Sequence, residues 1–327
     1  MFVATYKKIF LAISAVILLA SIAIVATLGL NLGIDFTGGA LTEIAYNEKP
    51  DKATLESKLN QLDLGGYSLR EAVDDTGRTG YMLRTRDLSE TERVAVEDIM
   101  TGEIEGAEIT RFTSIGPVIG QELRGKATKA IIAVSLIIIL YVAFAFRGVS
   151  YPVGSWMYGS ITILALIHDV LVPTAVMSLL GYFMGVEVDV LFVMALLAVL
   201  GYSVNDTIVV FDRVRENLLQ YRQEKKRTVT VDGGLQREEI DYKLTKPIAE
   251  IVGLSVSQTL MRSINTSVTT LLALVALYVL GGAVTQIFAL ILVVGVVAGT
   301  FSSICLANPL LILIAERKLA QTEQTKK

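Results

Sequence analysis

The chain has 327 residues, of which 53% are hydrophobic and 19% charged, whereas an ordinary soluble domain is about 25% charged. Its formal net charge of −3 gives no basic footprint for nucleic acid, and a single cysteine, Cys305, excludes a secreted disulfide scaffold. The charged residues lie in blocks between long apolar runs. The composition therefore predicts an α-helical integral membrane protein.

Six apolar runs are long enough to cross the hydrocarbon core, which needs roughly 20 predominantly apolar residues. They cover residues 9–30, 127–146, 155–182, 189–211, 265–281 and 287–315. Lysines precede the first run, as in a signal peptide, but its length and the lack of an obvious small-residue cleavage site favour a retained helix. We expect six transmembrane helices.

Lysine and arginine set the predicted orientation, because short cytoplasmic loops carry an excess of them. The segment from Arg213 to Arg262 contains ten, whereas the loops at 183–188 and 282–286 contain none. We therefore expect both termini on the cytoplasmic side. The predicted units are residues 1–30, 31–126 outside the membrane, 127–211, a long cytoplasmic loop at 212–261, and 262–327.

The outer segment at 31–126 has 18 acidic and 11 basic residues and no histidine or cysteine, which disfavours a catalytic role there. Its pattern predicts strands and helices in the order βαββαβ. The predicted elements are residues 41–47, 51–64, 67–73, 81–85, 89–102 and 107–114. Ser89 and Glu92 form the signature of a helix N-terminus. This order is that of a ferredoxin-like α+β domain.

Ionisable residues inside a span cost about 2.5 kcal/mol or more, so each needs a partner or a function. His168 and Asp169 lie near the middle of the third run, and Asp206 lies in the fourth. Arg262 directly precedes the fifth run, at a depth that can match Asp206. It belongs to a polar helical stripe that consists of Gln258, Arg262, Asn265, Thr266 and Thr269.

Two interpretations of Asp206 and Arg262 remain open. They can form a structural ion pair that holds two helices, or Asp206 can alternate between a protonated and an arginine-paired state. A lone histidine such as His168 is commonly a satisfied packing residue. Asp212 and Arg213, at the membrane end, fit a surface pair.

The chain contains no phosphate-binding loop of the P-loop type, and its one histidine excludes an H-E-x-x-H zinc site. Asp169 and Asp206 lie in adjacent spans, as in an intramembrane protease, but the G-x-G-D setting of those enzymes is missing. We therefore expect neither an enzyme nor a metal site. Three glycine pairs have the G-x-x-x-G spacing that lets helices approach closely, although some matches arise by chance in a chain with 26 glycines. They are Gly29 and Gly33, Gly181 and Gly185, and Gly295 and Gly299.

Two further motifs stand out, Gly33-Ile-Asp-Phe-Thr-Gly-Gly39 after the first run and the stretch from Gly201-Tyr-Ser-Val-Asn-Asp-Thr to Asn217 in the fourth. They resemble the SecD/SecF family of the RND superfamily, and within it the SecF type. His168-Asp169 and Arg262-Ser-Ile-Asn-Thr-Ser267 are also similar to that family. The motif residues carried over are Gly33, Asp35, Gly38 and Gly39 near the first span, and Asn205, Asp212 and Arg213 in the fourth.

The resemblance implies a six-helix RND/SecDF-type protein in the bacterial inner membrane. It implies that the chain pairs with SecD and assists the SecYEG translocon, acting on unfolded preprotein outside the membrane. No cofactor is implied, because a proton or sodium gradient supplies the energy. Asp206 would be the proton-responsive carboxylate and Arg262 its partner, with Asp169 and His168 as further candidates for the same network.

Alternatives to this function are a non-energised scaffold for the translocon, and half of an RND small-molecule transporter, which the small outer domain disfavours. The cytoplasmic segment at 218–257 is longer than we expect for SecF. It contains a basic cluster and a Thr-Val-Thr-Val-Asp-Gly-Gly stretch suited to a hairpin. Such a hairpin or surface helix can meet anionic lipid, which we favour, or a translocon subunit.

Overall fold

The structure is a computed structural model that describes residues 2–74, 77–102, 104–147, 151–231 and 235–325. Within these ranges it describes the side chains except those at 225–241, 283–284, 322–323 and 325. Long helices form the membrane part, and a small α+β domain lies between the first two of them.

Six helical segments of the described chain are long and apolar enough to span a membrane, so the predicted number is confirmed. They are α2 (Lys7–Leu28), α6 (Pro117–Ala145), α7 (Ser155–Met184), α8 (Val190–Gln220), α9 (Ile248–Leu280) and a last segment. That segment joins α10 (Ala283–Ser302), a π-helix (Ser303–Ala307) and α11 (Asn308–Thr325), and a short α1 (Phe2–Thr5) precedes α2.

At the ends that lie away from the outer domain, α8 and α9 extend beyond the predicted bounds of their apolar runs, 211 and 265. Polar side chains of the two helices are buried against each other there, among them Asn217 and Ser255. A hydropathy pattern places such residues in water, so it ends both helices too early. The non-helical part of the predicted loop is correspondingly shorter.

Three of the spanning segments form the interior of the membrane part. Half of the apolar stretch is buried in α7, in α8 and in the α10–α11 segment, against 11% in α2 and α9 and 6% in α6. Helices α2, α6 and α9 therefore present most of their surface outwards.

Helices α8 and α10 approach each other closely along the predicted glycine face. A Cβ atom added to Gly295 would overlap the side chain of Val199, and one added to Gly299 would lie 2.9 Å from Ser203 Cβ. Small residues at such positions let helix backbones come together. The close approach brings Ser203 of α8 into the interior.

Helix α7 contains a proline, whereas α8 is uninterrupted by one. Pro173 has no N–H group, so it cannot donate to the carbonyl of Asp169 one turn earlier. The 31 residues of α8 span about 46 Å at 1.5 Å per residue. This length exceeds the hydrocarbon core of roughly 30 Å, so α8 projects beyond it.

The outer domain has the predicted ferredoxin-like architecture. Its elements are a short α3 (Ile34–Thr37), β1 (Gly39–Ala45), α4 (Lys52–Leu59), β2 (Tyr67–Val73), β3 (Thr79–Thr85), α5 (Glu90–Thr101) and β4 (Glu108–Ile115). The four strands form an antiparallel sheet in the order β2-β3-β1-β4. The apolar sides of α4, α5 and the sheet bury a core that includes Leu55, Leu59, Tyr81, Leu83 and Met100.

Side-chain caps fix the starts of both helices of this domain. Asp51 accepts a hydrogen bond from the Thr54 amide, and Ser89 and Glu92 form the predicted reciprocal capping box. Helix α4 ends at Leu59 rather than at residue 64, because tight turns at 61 and 62 direct the chain back to the core. Part of the predicted turn between β2 and β3, residues 75–76, lies outside the described residues.

The segment between α8 and α9 forms the hairpin that the sequence suggested. Strand β5 (Arg222–Val231) pairs antiparallel with β6 (Leu235–Leu244), from Arg222 opposite Leu244 to Val231 opposite Leu235. The Asp-Gly-Gly turn at 232–234 lies outside the described residues. At the base of the hairpin, the Arg222 guanidinium lies 4.3 Å from the ring centre of Tyr242.

Candidate functional site

Asp206 is buried in α8, 16 residues after Val190, and only 4% of its surface is exposed. Its Oδ2 atom has no hydrogen-bond partner among the described residues. The neighbouring residue Ser263 on α9 is 99% buried, and its Oγ atom is likewise unpartnered in the described part of the chain. Two adjacent helices thus place the Asp206 carboxylate and the Ser263 hydroxyl at the same level, near enough for the hydroxyl to act on the carboxylate.

Arg262 is next to Ser263 on α9, close enough to act electrostatically on the Asp206 carboxylate. Its side chain is nevertheless exposed, and the described residues include no ion pair within 4.0 Å between it and Asp206. The direct pairing expected from the sequence is therefore not formed in this arrangement, because the rotation of α9 directs Arg262 outwards.

The polar stripe of α9 continues outwards in the same direction as Arg262. Asn265, Thr266 and Thr269 are exposed, and both threonine hydroxyls donate to carbonyls of their own helix. A polar and charged face of a membrane helix is thus left uncovered by this chain.

A second carboxylate, Asp169 of α7, is fully buried and lies at the centre of a hydrogen-bond cluster. Its Oδ1 atom is 2.9 Å from His168 Nδ1. Its Oδ2 atom accepts hydrogen bonds from Ser203 of α8 and from Ser302 of α10, the latter at 2.7 Å. The cluster therefore ties the three interior helices together through one carboxylate.

The two carboxylates differ in how well they are satisfied. Asp169 has partners at both oxygen atoms, whereas Asp206 keeps one oxygen free within the described structure. Ser203, which donates to Asp169, lies one helical turn before Asp206 on α8. Among the described side chains of the Asp169 cluster, the only buried atom without a partner is Nε2 of His168, which is 1% exposed.

At its inner end, α8 is joined to α9 by side-chain amides. Asn217 donates to Ser255 Oγ at 2.8 Å and to Gln258 Oε1 at 2.9 Å. Arg213 donates to the same Gln258 oxygen at 2.7 Å. Arg213 is thus part of a contact between helices, whereas Asp212 is exposed and lies 3.6 Å from Arg215.

Asn205, the motif residue that precedes Asp206, is exposed on α8. Sequence reasoning did not identify Ser302, Ser263 or Asn217 as site residues. Asn217 lies 11 residues after Asp206, three helical turns along the same face, which is a periodic signal. Ser302 follows Gly299 by three residues on the small-residue face of α10.

The Gly33–Gly39 motif lies at the root of the outer domain, where it contacts the outer ends of the membrane helices. The Asp35 carboxylate accepts a hydrogen bond from the Val190 amide at 2.9 Å. Gly38 and Gly39 have positive φ angles of 75° and 128°. The motif residues are thus brought together, but at the far end of α8 from the hairpin and away from Asp206.

Family models match most of the chain. The model described as "Protein export membrane protein SecD/SecF, C-terminal" matches residues 95–236 and 236–317, and the "SecD/SecF GG Motif" model matches residues 23–49. This chain belongs to the SecD/SecF family of protein-export membrane proteins. The resemblance noted in the sequence is confirmed.

Its relatives include proteins named protein translocase subunit SecF. The one from Thermobaculum terrenum is 37% identical, over 94% of this chain and 92% of the relative. The one from Vibrio alginolyticus is 33% identical, over 96% of this chain and 89% of the relative. This chain is therefore similar to SecF over almost its full length, which supports an accessory role in protein export.

The fold is also similar to solved structures of SecDF. The crystal structure of SecDF from Thermus thermophilus, described as a translocon-associated membrane protein, matches with a TM-score of 0.75 and 29% identity. The match covers 97% of this chain and 38% of SecDF. A second SecDF structure, in a form called super-membrane-facing, matches with a TM-score of 0.62 and 32% identity.

Proposed function

We propose that this chain assists Sec-dependent preprotein export by using an ion gradient, and that Asp206 is the coupling residue. The observation that carries the proposal is the free Oδ2 atom of a buried membrane carboxylate, next to the unpartnered Ser263 hydroxyl. A buried carboxylate with an unsatisfied oxygen is costly when ionised and less costly when protonated. Such a group responds to proton or cation supply.

Arg262 is the proposed counter-charge of ionised Asp206. Its side chain is close enough to act electrostatically on the carboxylate, and it makes no ion pair with another described residue. Deprotonation of Asp206 favours rotation or repacking of α9 that brings the guanidinium inwards, and protonation releases it. One charge that crosses the membrane supplies about 2.3 kcal/mol per 100 mV, enough to bias a two-state element.

The uncovered polar face of α9 supports pairing with SecD. An exposed arginine at membrane depth is costly in lipid, so a second set of helices is expected to cover Arg262, Asn265 and Thr269. In the relatives named SecDF, the chain matches only 38% of the protein. We propose that SecD supplies the missing helices and a further membrane carboxylate, and that the pair acts with the SecYEG translocon.

The lysine and arginine distribution supports a chain with both ends and the β5–β6 hairpin on the cytoplasmic side of the bacterial inner membrane. The outer domain at 31–126 then meets unfolded preprotein as it emerges. The basic cluster at 222–227 is the part of the hairpin that would meet anionic lipid head groups.

The test compares Asp206→Asn with Asp212→Asn in membrane vesicles that contain SecD and the translocon. Asp212 is an exposed carboxylate on the same helix and serves as the matched control. We expect Asp206→Asn to assemble normally and to lose the potential-dependent part of preprotein export, with Asp212→Asn unaffected. Retention of potential dependence in Asp206→Asn contradicts the proposal, and loss of assembly favours the scaffold alternative.

The coupling ion is identified in the same vesicles. A protonophore and a sodium ionophore are added separately, and export is followed for each. Collapse by the protonophore alone assigns proton coupling, whereas collapse by the sodium ionophore alone assigns sodium coupling.

A further inference from the structure

A compact contact, here called the outer joint, connects the root of the outer domain to the loop between α7 and α8. It consists of residues 31–39 and 185–190. Leu32 and Val188 form a parallel β-bridge. The Gly33 amide donates to the Val188 carbonyl at 2.8 Å, and the Val188 amide donates to the Asn31 carbonyl at 2.7 Å. The two segments are therefore joined through their backbones.

Two aspartates at the joint cap the start of α8. Asp35 accepts from the Val190 amide at 2.9 Å, and Asp189 accepts from the Phe192 amide at 2.8 Å. A helix N-terminus leaves several amide groups without intrahelical partners and has a partial positive charge, so carboxylates stabilise it. Asp189 is the local cap, whereas Asp35 comes from the outer domain's root and attaches α8 to it.

Two arginines of the outer sheet also bind residues of the outer joint. Arg84 of β3 lies 3.0 Å from Glu187 and donates to Thr37 Oγ1 at 2.7 Å. Arg70 of β2 donates to the Gly185 carbonyl. The Arg84 and Glu187 side chains are only 24% and 19% exposed, so water screens their attraction less than that of a surface pair.

The glycines of the motif permit the close contacts of this joint. A Cβ atom on Gly38 would lie 2.7 Å from Pro117 Cα of α6, and one on Gly39 would lie 2.5 Å from the Thr85 carbonyl oxygen of β3. Both glycines also have positive φ angles, which other residues rarely adopt. The joint is thus packed against α6 and the sheet without space for a side chain.

We propose that the outer joint stays closed throughout the working cycle and carries displacement of α8 to the outer domain, with Asp35 as a positioning residue for α8. The proposal rests on the proposed function, in which Asp206 on α8 changes state. It gives the Gly33–Gly39 motif a mechanical role that its distance from Asp206 would not suggest.

A reversible cross-link tests whether the joint opens. Leu32→Cys and Val188→Cys are combined in a Cys305→Ala background, which removes the native thiol. Bridged strands lie about 4.8 Å apart, within the range of a disulfide. We expect ready cross-linking in membranes, read by thiol counting, with potential-dependent export within about twofold of the reduced sample.

Two results of that experiment overturn the proposal. One is a failure of the pair to cross-link, because the contact is then absent in the membrane. The other is loss of potential-dependent export on oxidation that a reductant restores, because the joint must then open for function.

Paired variants of Asp35 separate a capping role from proton carriage. Asn can still accept the Val190 hydrogen bond, whereas Ala cannot. We expect Asp35→Asn to retain potential-dependent export within about twofold and Asp35→Ala to lose most of it, with both still assembling with SecD. Equal loss in both variants contradicts the positioning role.

The matched control is Asp51→Ala, which removes a similar carboxylate cap from α4, away from α8. It is expected to leave export unchanged. The proposed function fails separately from the joint: a wild-type chain with no potential-dependent export refutes the function, whereas the cross-link is read without a transport assay.

Discussion

The Ser203 hydroxyl of α8 donates a hydrogen bond to Asp169 of α7, one helical turn before Asp206 on the same helix. The satisfied carboxylate and the unsatisfied one are thus connected through a single turn of α8. Asp169 joins the interior helices α7, α8 and α10 by hydrogen bonds. Helix α9 is joined to α8 further along, through Asn217, so Asp206 lies between two points of attachment of α8.

The cluster around Asp169 is expected to contribute directly to stability. Ser302→Ala removes a donor to a buried carboxylate, and hydrogen bonds to charged groups are worth about 1.5–3 kcal/mol. We expect the free energy of unfolding to fall by about that amount. The measurement is denaturant unfolding of the chain in detergent.

The matched control is Ser303→Ala at the adjacent buried position, where the hydroxyl donates to a backbone carbonyl of the same segment. Its expected loss is below about 1 kcal/mol. Equal losses in the two variants would mean that Ser302 contributes no more than a local backbone bond.

The glycine face of α10 is expected to tolerate no methyl group. Gly299→Ala places a Cβ atom 2.9 Å from Ser203 Cβ, so α8 and α10 must move apart, at a typical cost of about 1–3 kcal/mol for overpacking. Gly201→Ala on α8 has nothing within 4 Å and is the control, with no loss expected. Thermal unfolding in detergent distinguishes them, and indistinguishable transition temperatures would contradict the close packing.

Arg262 is expected to matter for export but not for the stability of the chain by itself. Its side chain is exposed and makes no hydrogen bond or ion pair within the described residues, so Arg262→Ala is expected to change the free energy of unfolding by less than about 0.5 kcal/mol. The neighbouring exposed Met261 provides the control variant, Met261→Ala.

The same Arg262→Ala variant is then assayed with SecD and the translocon. Loss of potential-dependent export is expected, with Met261→Ala close to wild type. A large destabilisation of the isolated Arg262→Ala chain would instead assign the arginine a structural role.

The outer domain is expected to lose stability in acid through its capping box. Hydrogen bonds from Arg86 and Ser89 lower the pKa of Glu92 from 4.5 to about 2. Because the folded-state pKa is depressed, this contribution is complete above about pH 4.5 and is lost as the pH falls towards 2.

The variant Glu92→Gln lacks the contribution at every pH. Amide hydrogen exchange in α5, corrected for the intrinsic effect of pH, should therefore differ between wild type and variant at pH 7 and converge near pH 2. Glu105→Gln, at an exposed position in the following turn, is the control. A difference that persists at pH 2 would contradict the assigned cause.

The sequence predicted the elements well, because their signals are local. Apolar length predicts the six spans, and the capping box at Ser89 predicts the start of α5. The inner extensions of α8 and α9 were missed, since the burial of Asn217 against Ser255 is a property of two helices together.

The candidate site was predicted less completely. Asp169 and Asp206 stand out as charges in apolar runs, but serine is common in membrane helices, so Ser302 carries no signal by itself. The rotation of α9 about its own axis decides whether Arg262 meets Asp206, and packing between helices sets that rotation. Periodicity within one helix cannot specify it.

The contrast between Pro173 in α7 and the unbroken α8 has a mechanical consequence. A proline leaves a carbonyl unbonded and makes a helix more compliant, so α7 can bend near Asp169. Helix α8 behaves instead as a stiff strut of about 46 Å, fastened by Asp35 at one end and by Asn217 at the other. A small tilt of α8 in the middle of the membrane therefore displaces both of its ends.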